Sequence, residues 1–102
     1  MSMAKGYWIG RVDVKSDKGY KPYAAANPPI FRKFGGRYVV RGGKFESKEG
    51  SSRTRNVVIE FPSYQAALDC YNSPEYQANI KVRQAHAVAD IIVIEGYDGP
   101  QP

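Results

Sequence analysis

Residues 89–95 read Ala89-Asp90-Ile91-Ile92-Val93-Ile94-Glu95, a run in which neighbouring positions are both apolar. Successive side chains of a strand point to opposite faces, so this run offers an apolar surface on each side of a sheet. A second run, Asn56-Val57-Val58-Ile59-Glu60-Phe61, has the same property. An antiparallel sheet that met water on one face would alternate to polar residues there. We therefore expect this sheet to be covered on both faces.

Two more strands are expected upstream. The stretch Tyr7–Val14 is rich in aromatic and β-branched residues, and Arg37–Arg41 lies between two Gly-Gly pairs. A helix is expected between them, capped by Ser16 or Asp17 and ended by Gly35-Gly36, because its apolar residues recur at helical spacing. Proline removes an amide donor and crowds the preceding turn, so Asn27-Pro28-Pro29 predicts a kink or a break into two helices.

The second half of the chain contains an exposed segment and two more helix starts. The polar segment Lys44–Arg53 is typical of an exposed loop or hairpin. Ser63 and the pair Ser73-Pro74 are good helix starts, and each is followed by apolar residues at helical spacing. The order of elements is then βαββαβ, which predicts an α+β ferredoxin-like fold. We expect a four-stranded antiparallel sheet with helices on one face, forming one domain over residues 5–96 with a C-terminal tail at 97–102.

The uncovered face of such a sheet calls for a partner. A monomer rarely exposes an apolar patch larger than a few hundred Å², and no remaining segment is long enough to cover the strands. A second copy packed sheet against sheet is the economical solution. The sequence therefore predicts a homodimer, a dimeric α+β barrel.

Bulk properties exclude several classes of protein. The formal charge of the 102 residues is +5, but the cations are scattered, which favours a solvated basic surface over nucleic-acid binding. A single Cys, Cys70, and a single His leave no metal-ligand pattern, and no cofactor is predicted. The start, from Met1 to Val14, lacks the apolar core of a signal peptide, and no stretch is long enough to span a membrane. We expect a cytoplasmic protein.

Several short motifs, in order along the chain, resemble one family. They are Gly6-Tyr7-Trp8-Ile9, Phe34-Gly35-Gly36-Arg37, Val40-Arg41-Gly42-Gly43, Glu60-Phe61-Pro62-Ser63, Ser73-Pro74-Glu75-Tyr76 and Glu95-Gly96. Together they resemble the domain of unknown function family DUF 1330. Membership implies the dimeric α+β barrel superfamily, whose relatives include cofactor-independent monooxygenases, muconolactone isomerase-like proteins and haem-using members. It implies no particular activity.

Strand alternation predicts which polar groups share the face enclosed by the dimer. If Tyr7, Ile9 and Arg11 point inward, that face also carries the residues Val39, Arg41, Val58, Glu60, Asp90, Ile92 and Ile94. An apolar surface with a few charges is the usual make-up of a ligand site. Arg41 is the leading candidate, since a guanidinium beside Gly42-Gly43 could clamp a carboxylate or enolate. The alternative is an ion pair of Arg41 or Arg11 with Glu60 or Asp90 that fixes dimer register.

Other candidates lie on the helices. His86 would be a general base if it faced the cleft and Asp90 oriented it, and otherwise it caps a helix end. Tyr23, Tyr76 and Arg83 are candidate ligand-binding residues, although both tyrosines also fit core positions with a bonded hydroxyl.

The sequence thus predicts a protein that binds a small organic acid or enol in a cavity walled by the dimer. Cofactor-free isomerase or monooxygenase-like chemistry is the enzymatic version of this prediction, by analogy of fold. A non-catalytic ligand-binding or assembly module is the alternative, and it predicts charges locked in ion pairs and no pocket.

Overall fold

The computed structural model describes residues 4–102. Met1–Met3, which belong to the segment expected to lack a signal peptide, lie outside it. The elements along the chain are β1 Gly6–Val14, α1 Asp17–Lys33, β2 Arg37–Arg41, β3 Arg55–Phe61, α2 Tyr64–Asn72, α3 Pro74–Gln84 and β4 Ala87–Glu95. The strands form one antiparallel sheet in the order β2-β3-β1-β4. The predicted ferredoxin-like α+β fold is confirmed. No helix within residues 4–102 is long and apolar enough to cross a membrane.

Three serines begin the three helices. The side chains of Ser16, Ser63 and Ser73 accept hydrogen bonds from backbone amides in the first turns of α1, α2 and α3. These bonds satisfy donors that have no partner inside the helix. At the other end of α1, the amides of Gly35 and Gly36 donate to the carbonyls of Arg32 and Phe31, and Gly35 has a φ of 79°. This is the glycine-dependent stop that the sequence predicts.

The expected break in α1 does not occur. The helix runs from Asp17 to Lys33 with Pro28 and Pro29 inside it. Each proline removes only its own amide, and contact with α3 holds the preceding turn in place. The Nδ2 atom of Asn79 donates to the carbonyl of Tyr23 at 3.1 Å and to Oδ1 of Asn27 at 2.8 Å. Tertiary hydrogen bonding therefore outweighs the local preference of the Asn-Pro-Pro sequence.

The core lies between the sheet and the helices and is centred on Trp8. Its ring lies 5.0 Å from Phe31 of α1, 5.6 Å from Tyr71 of α2 and 4.8 Å from Tyr76 of α3, measured between ring centroids. The indole Nε1 donates to the carbonyl of Ala67 at 2.8 Å. We call this side of the sheet the helix face. The opposite side, which carries Tyr7, Ile9 and Arg11, is the open face.

A β-bulge in β2 changes the predicted faces. Tyr38 lies opposite Ile59 and Val40 lies opposite Val58, so the strand holds one extra residue, Val39, at this point. Strict alternation would put Arg41 on the open face together with Val39, and that prediction is wrong for Arg41. The bulge moves Val40 to the open face and Arg41 to the helix face.

Candidate functional site

A cavity lies beneath the sheet, between its helix face and α1. Its volume is about 40 Å³. By the same measure a single water needs about 10–15 Å³, so the cavity has room for roughly three waters. Its lining consists of Trp8, Gly10, Val12, Tyr20, Tyr23, Ala24, Asn27, Phe31, Tyr38, Arg41, Arg55, Val57, Ile59 and Ile91. The site is thus an apolar space within one chain, with phenols and guanidiniums at its edges.

Two arginines supply the charge of this cavity. The guanidinium carbon of Arg41 lies 4.2 Å from the ring centroid of Tyr38, over its face. Arg55, at the start of β3, lines the same cavity, and its buried Nε atom has no hydrogen-bond partner. No ion pair among residues 4–102 involves either arginine. Their positive charge is therefore not neutralised by a carboxylate of the described chain.

Gly42 explains how Arg55 reaches its place. A Cβ atom at Gly42 would lie 2.5 Å from Nη1 of Arg55, and Gly42 has a φ of 65°. The absence of a side chain at Gly42 therefore leaves room for the guanidinium of Arg55.

Tyr20 and Tyr38, two of the phenols that line the cavity, keep their protons at neutral pH and can donate hydrogen bonds. Burial raises the pKa of Tyr20 and of Tyr38 above the ordinary value, and the nearby Arg55 offsets part of each rise. Tyr23 forms a hydrogen bond with Tyr76 behind it, at 2.5 Å between the hydroxyl oxygens. Nη1 of Arg83 donates to both hydroxyls, at 3.3 Å to Tyr23 and 3.1 Å to Tyr76.

The predicted helix residues thus divide into two layers. Tyr23 lines the cavity, whereas Tyr76 and Arg83 contact Tyr23 and are not part of the lining. The structure brings these three predicted residues together with Arg41 on one side of the sheet.

The other predicted residues lie elsewhere. Glu60, on the open face, accepts from the hydroxyl of Tyr7 and from Nε of Arg37, each at 3.0 Å. Arg11 donates to the carbonyl of Ser51 at 3.0 Å. The expected ion pairs of Arg11 or Arg41 with Glu60 or Asp90 are not formed, because Arg37 and Arg53 bind these carboxylates instead.

His86 lies in the turn between α3 and β4 and is not part of the cavity lining. Its carbonyl accepts from the amides of Lys15 and Ser16, and a Cβ atom on Gly19 would overlap its ring. The carboxylate of Asp90 is bound to Arg53 at 2.8 Å. The expected pairing of Asp90 with His86 as a general base is therefore wrong.

Arg53 joins the loop after β2 to two strands. Its Nη1 donates to Asp13 and its Nε to Asp90, both at 2.8 Å. The amide of Thr54 also donates to Asp13, at 2.9 Å. These contacts fix the end of the loop across the edge of the open face, and no sequence pattern pointed to them.

The Asp13 contacts predict a dependence of stability on pH. The amide of Thr54, and to a lesser extent Arg53, hold the pKa of Asp13 below its ordinary value. A carboxyl whose pKa falls on folding stabilises the native state above its unfolded pKa, and this is lost as pH falls through the folded value. We expect the Tm of the wild-type protein to drop below about pH 4 more steeply than that of Asp13→Asn. Thermal denaturation from pH 6 to pH 2 measures this, with Asp98→Asn in the exposed tail as control, and equal slopes for wild type and Asp13→Asn would contradict it.

Metal and thiol chemistry find no support in the described chain. Within residues 4–102, no three His, Cys, Asp or Glu side chains are placed to hold a metal ion. Cys70 is buried, and burial raises the pKa of its thiol to about 12. A thiol in this state is protonated and packs as a small apolar side chain.

The residues that sequence reasoning missed are Arg55, Tyr20 and Tyr38. The predicted β3 began at Asn56, whereas the strand begins at Arg55. Extending the alternation of Ile59 and Val57 by one step would have placed Arg55 on the helix face.

Fold and site together define a ferredoxin-like α+β protein with a small cationic pocket between sheet and helices. The chain belongs to the family described as domain of unknown function DUF1330, whose model matches residues 5–97. The resemblance seen in the sequence motifs is confirmed. No curated protein matches the chain.

Solved structures agree on the fold. A protein of unknown function from Rhodopseudomonas palustris is similar at a TM-score of 0.74 and 19% identity, over 96% of this chain and 86% of that chain. SnoaB, a cofactor-independent oxygenase from Streptomyces nogalater, is similar at a TM-score of 0.62 and 12% identity, over 97% and 96% of the two chains. A conserved protein of unknown function from Bacteroides thetaiotaomicron, described as a possible oxidoreductase, gives a TM-score of 0.53 and 12% identity, over 92% and 99%. At these identities the likeness establishes the fold alone.

Proposed function

We propose that the cavity binds a small organic acid or enol as its anion. The observation that carries this proposal is the pair Arg41 and Arg55, two guanidiniums beside an apolar cavity that form no ion pair with a carboxylate of residues 4–102. A buried donor without a partner costs free energy, and the Nε atom of Arg55 is such a donor. An anionic oxygen in the cavity would satisfy this atom and the charge together.

The size of the cavity limits the ligand. A space of about 40 Å³ admits an acid or enol group with a few carbon atoms, and larger parts of a ligand would lie in the mouth beside the exposed Arg41. The proposed site therefore lies within one subunit, whereas the sequence analysis predicted a cavity walled by the dimer.

The chemistry of the lining favours binding over base catalysis. Among the described lining residues there is no Asp, Glu, His, Lys or Cys, so no side chain is suited to remove a proton. An enzymatic role would be cofactor-free isomerisation or oxygenation. It would depend on hydrogen-bond donors of the lining that stabilise a bound enolate. The fold shared with the cofactor-independent oxygenase SnoaB supports that extension.

We also propose that two copies pack through their open faces. Val40, Val58, Ile9 and Ile92 form one apolar row across all four strands, and Ile92 is 53% exposed. The charges that flank this row are paired within the chain, as Arg37 with Glu60 and Arg53 with Asp13 and Asp90. Arg11, on the same face, is bonded to the carbonyl of Ser51 and not to a carboxylate. A partner sheet could cover the row without separating the ion pairs that flank it. This pattern of locked charges also supports the assembly role raised as an alternative, in addition to binding in the cavity.

The binding proposal is tested with acetoacetate and its neutral analogue acetoacetamide. Trp8 is the only tryptophan and lines the cavity, so its indole N–H resonance reports directly on occupancy. We expect acetoacetate to shift this resonance saturably and acetoacetamide to leave it unchanged.

Arg55→Met should weaken acetoacetate binding at least about tenfold, since a hydrogen bond between charged groups is lost. Arg32→Met, an exposed arginine in the last turn of α1, is the matched control. Equal binding of acid and amide, or an unchanged Kd for Arg55→Met, would show that the pocket is not an anion site.

A further inference from the structure

The hydrogen bonds behind the cavity determine which way the hydroxyl of Tyr23 points. Three groups meet there: the phenols of Tyr23 and Tyr76 and the Nη1 atom of Arg83. Nη1 has two protons and accepts none, so it can give one to each hydroxyl oxygen. The question is then which phenol donates to the other.

Burial answers this question. Tyr76 is 0% exposed, and the hydroxyl partners found for it are Tyr23 and Arg83. Arg83 is a donor only, so the oxygen of Tyr23 is the one acceptor in this group for the proton of Tyr76. If Tyr23 donated to Tyr76 instead, the proton of Tyr76 would be left in the closed core without an acceptor, at the cost of a buried unsatisfied donor.

The remaining proton belongs to Tyr23. Its oxygen accepts from Tyr76 and from Arg83, which occupies both of its lone pairs. Burial raises the pKa of Tyr76 far above its ordinary value, so this phenol keeps its proton and remains a donor. Tyr23 lines the cavity whereas its two partners do not. Its own proton then has no acceptor in this group, and the cavity that Tyr23 lines is the space in which a ligand oxygen could accept it.

We infer that Tyr23 is a fixed hydrogen-bond donor of the pocket and selects ligands that carry a second oxygen acceptor beyond their acid group. This inference rests on the proposed function, in which Arg41 and Arg55 take the acid group. Such a site would take a β-keto acid or its enolate. In this class the second oxygen is bonded to the β-carbon, two carbons from the carboxylate carbon. The positive charge of Arg83 behind the phenol strengthens the donor as charge builds up on the ligand oxygen.

The ligand test compares acetoacetate with butanoate, which has the same chain but no keto oxygen. In wild-type protein, acetoacetate should bind at least about tenfold more tightly, because the donor of Tyr23 finds its acceptor only in the keto acid. Tyr23→Phe should remove this preference while butanoate binding changes less than twofold. Tyr64→Phe, which removes a partly exposed phenol of α2 outside the lining, should retain the preference. A preference that survives in Tyr23→Phe would overturn the inference and leave the anion site standing.

A second measurement needs no ligand. Tyr23→Phe removes the one acceptor that the described residues offer to the buried Tyr76 proton, whereas Tyr76→Phe leaves an unused lone pair on Tyr23. We therefore expect Tyr23→Phe to lower the Tm by roughly 4–8 °C more than Tyr76→Phe does. Equal losses would mean that the bonds do not run from Tyr76 to Tyr23, and the inference would be wrong. If neither acid binds to the wild-type protein, the proposed function fails, and this comparison still decides the direction of the bonds.

Discussion

Gly6→Ala is expected to destabilise the protein by about 3 kcal/mol or more, at the severe end for adding one methyl group to a packed site. A Cβ atom on Gly6 would overlap the carbonyl oxygen of Ser63 and lie 2.6 Å from both the carbonyl carbon of Ser63 and the Cα of Tyr64. These are backbone atoms at the start of α2, so no side-chain rotation can relieve the contact. The helix would have to move away from β1.

Gly10→Ala is the matched control, since Gly10 lies on the same strand and the same face. There the nearest atoms to an added Cβ are Cγ1 of Ile91 at 3.8 Å and the carbonyl oxygen of Val57 at 3.9 Å, which is ordinary contact. Urea denaturation of both variants measures the difference in the free energy of unfolding. We expect Gly10→Ala to remain within about 1 kcal/mol of wild type. If the two variants are equally stable, α2 does not approach β1 as closely as described.

Ile92→Glu is expected to convert the proposed dimer to a monomer, with a loss of more than about 100-fold in the association constant. Ile92 lies opposite Ile9 on the open face, in the apolar row that spans the sheet. In a symmetric pair of sheets the substitution would bury one unpaired carboxylate from each copy, which costs several kcal/mol. Since the side chain is 53% exposed in the single chain, the subunit itself should remain folded.

Sedimentation velocity over a range of micromolar concentrations measures this change. Val82→Glu is the control, because Val82 is also exposed, at 40%, but belongs to α3 on the other side of the molecule. That variant should sediment as the wild-type protein does. A wild-type chain that is monomeric at these concentrations would refute the dimer proposal outright.

The fold was predictable because it depends on features that are local in the sequence. Alternation in β1, β3 and β4, the serine caps and the Gly35-Gly36 stop each follow from nearby residues, and all of them are found in the structure. The uninterrupted α1 could not be predicted in this way. Asn79, which supports the turn before the prolines, is 52 residues from Asn27 along the chain.

The site was harder to predict because one extra residue changes every face that follows it. The bulge at Val39 moved Arg41 across the sheet, and nothing in Arg37–Arg41 marks a bulge. Arg41 is therefore still a candidate ligand-binding residue, but in a different cavity and with different neighbours. Tyr23, Tyr76 and Arg83 were chosen from helical spacing alone, which brings them to one face but does not determine their hydrogen bonds.

The lining of the cavity contains hydrogen-bond donors but, among the described residues, no side chain suited to accept a proton. This composition affects the ionisation of a bound ligand. In the proposed site, Arg41, Arg55 and Tyr23 would stabilise the deprotonated form of a ligand more than the protonated form, so binding and ionisation of the ligand would be linked. By this linkage the apparent acidity of a weak acid or enol increases when it enters the pocket. Such a site distinguishes ligands of the same outline by the basicity of their oxygens, and it can hold as an enolate a compound that is mostly neutral in water.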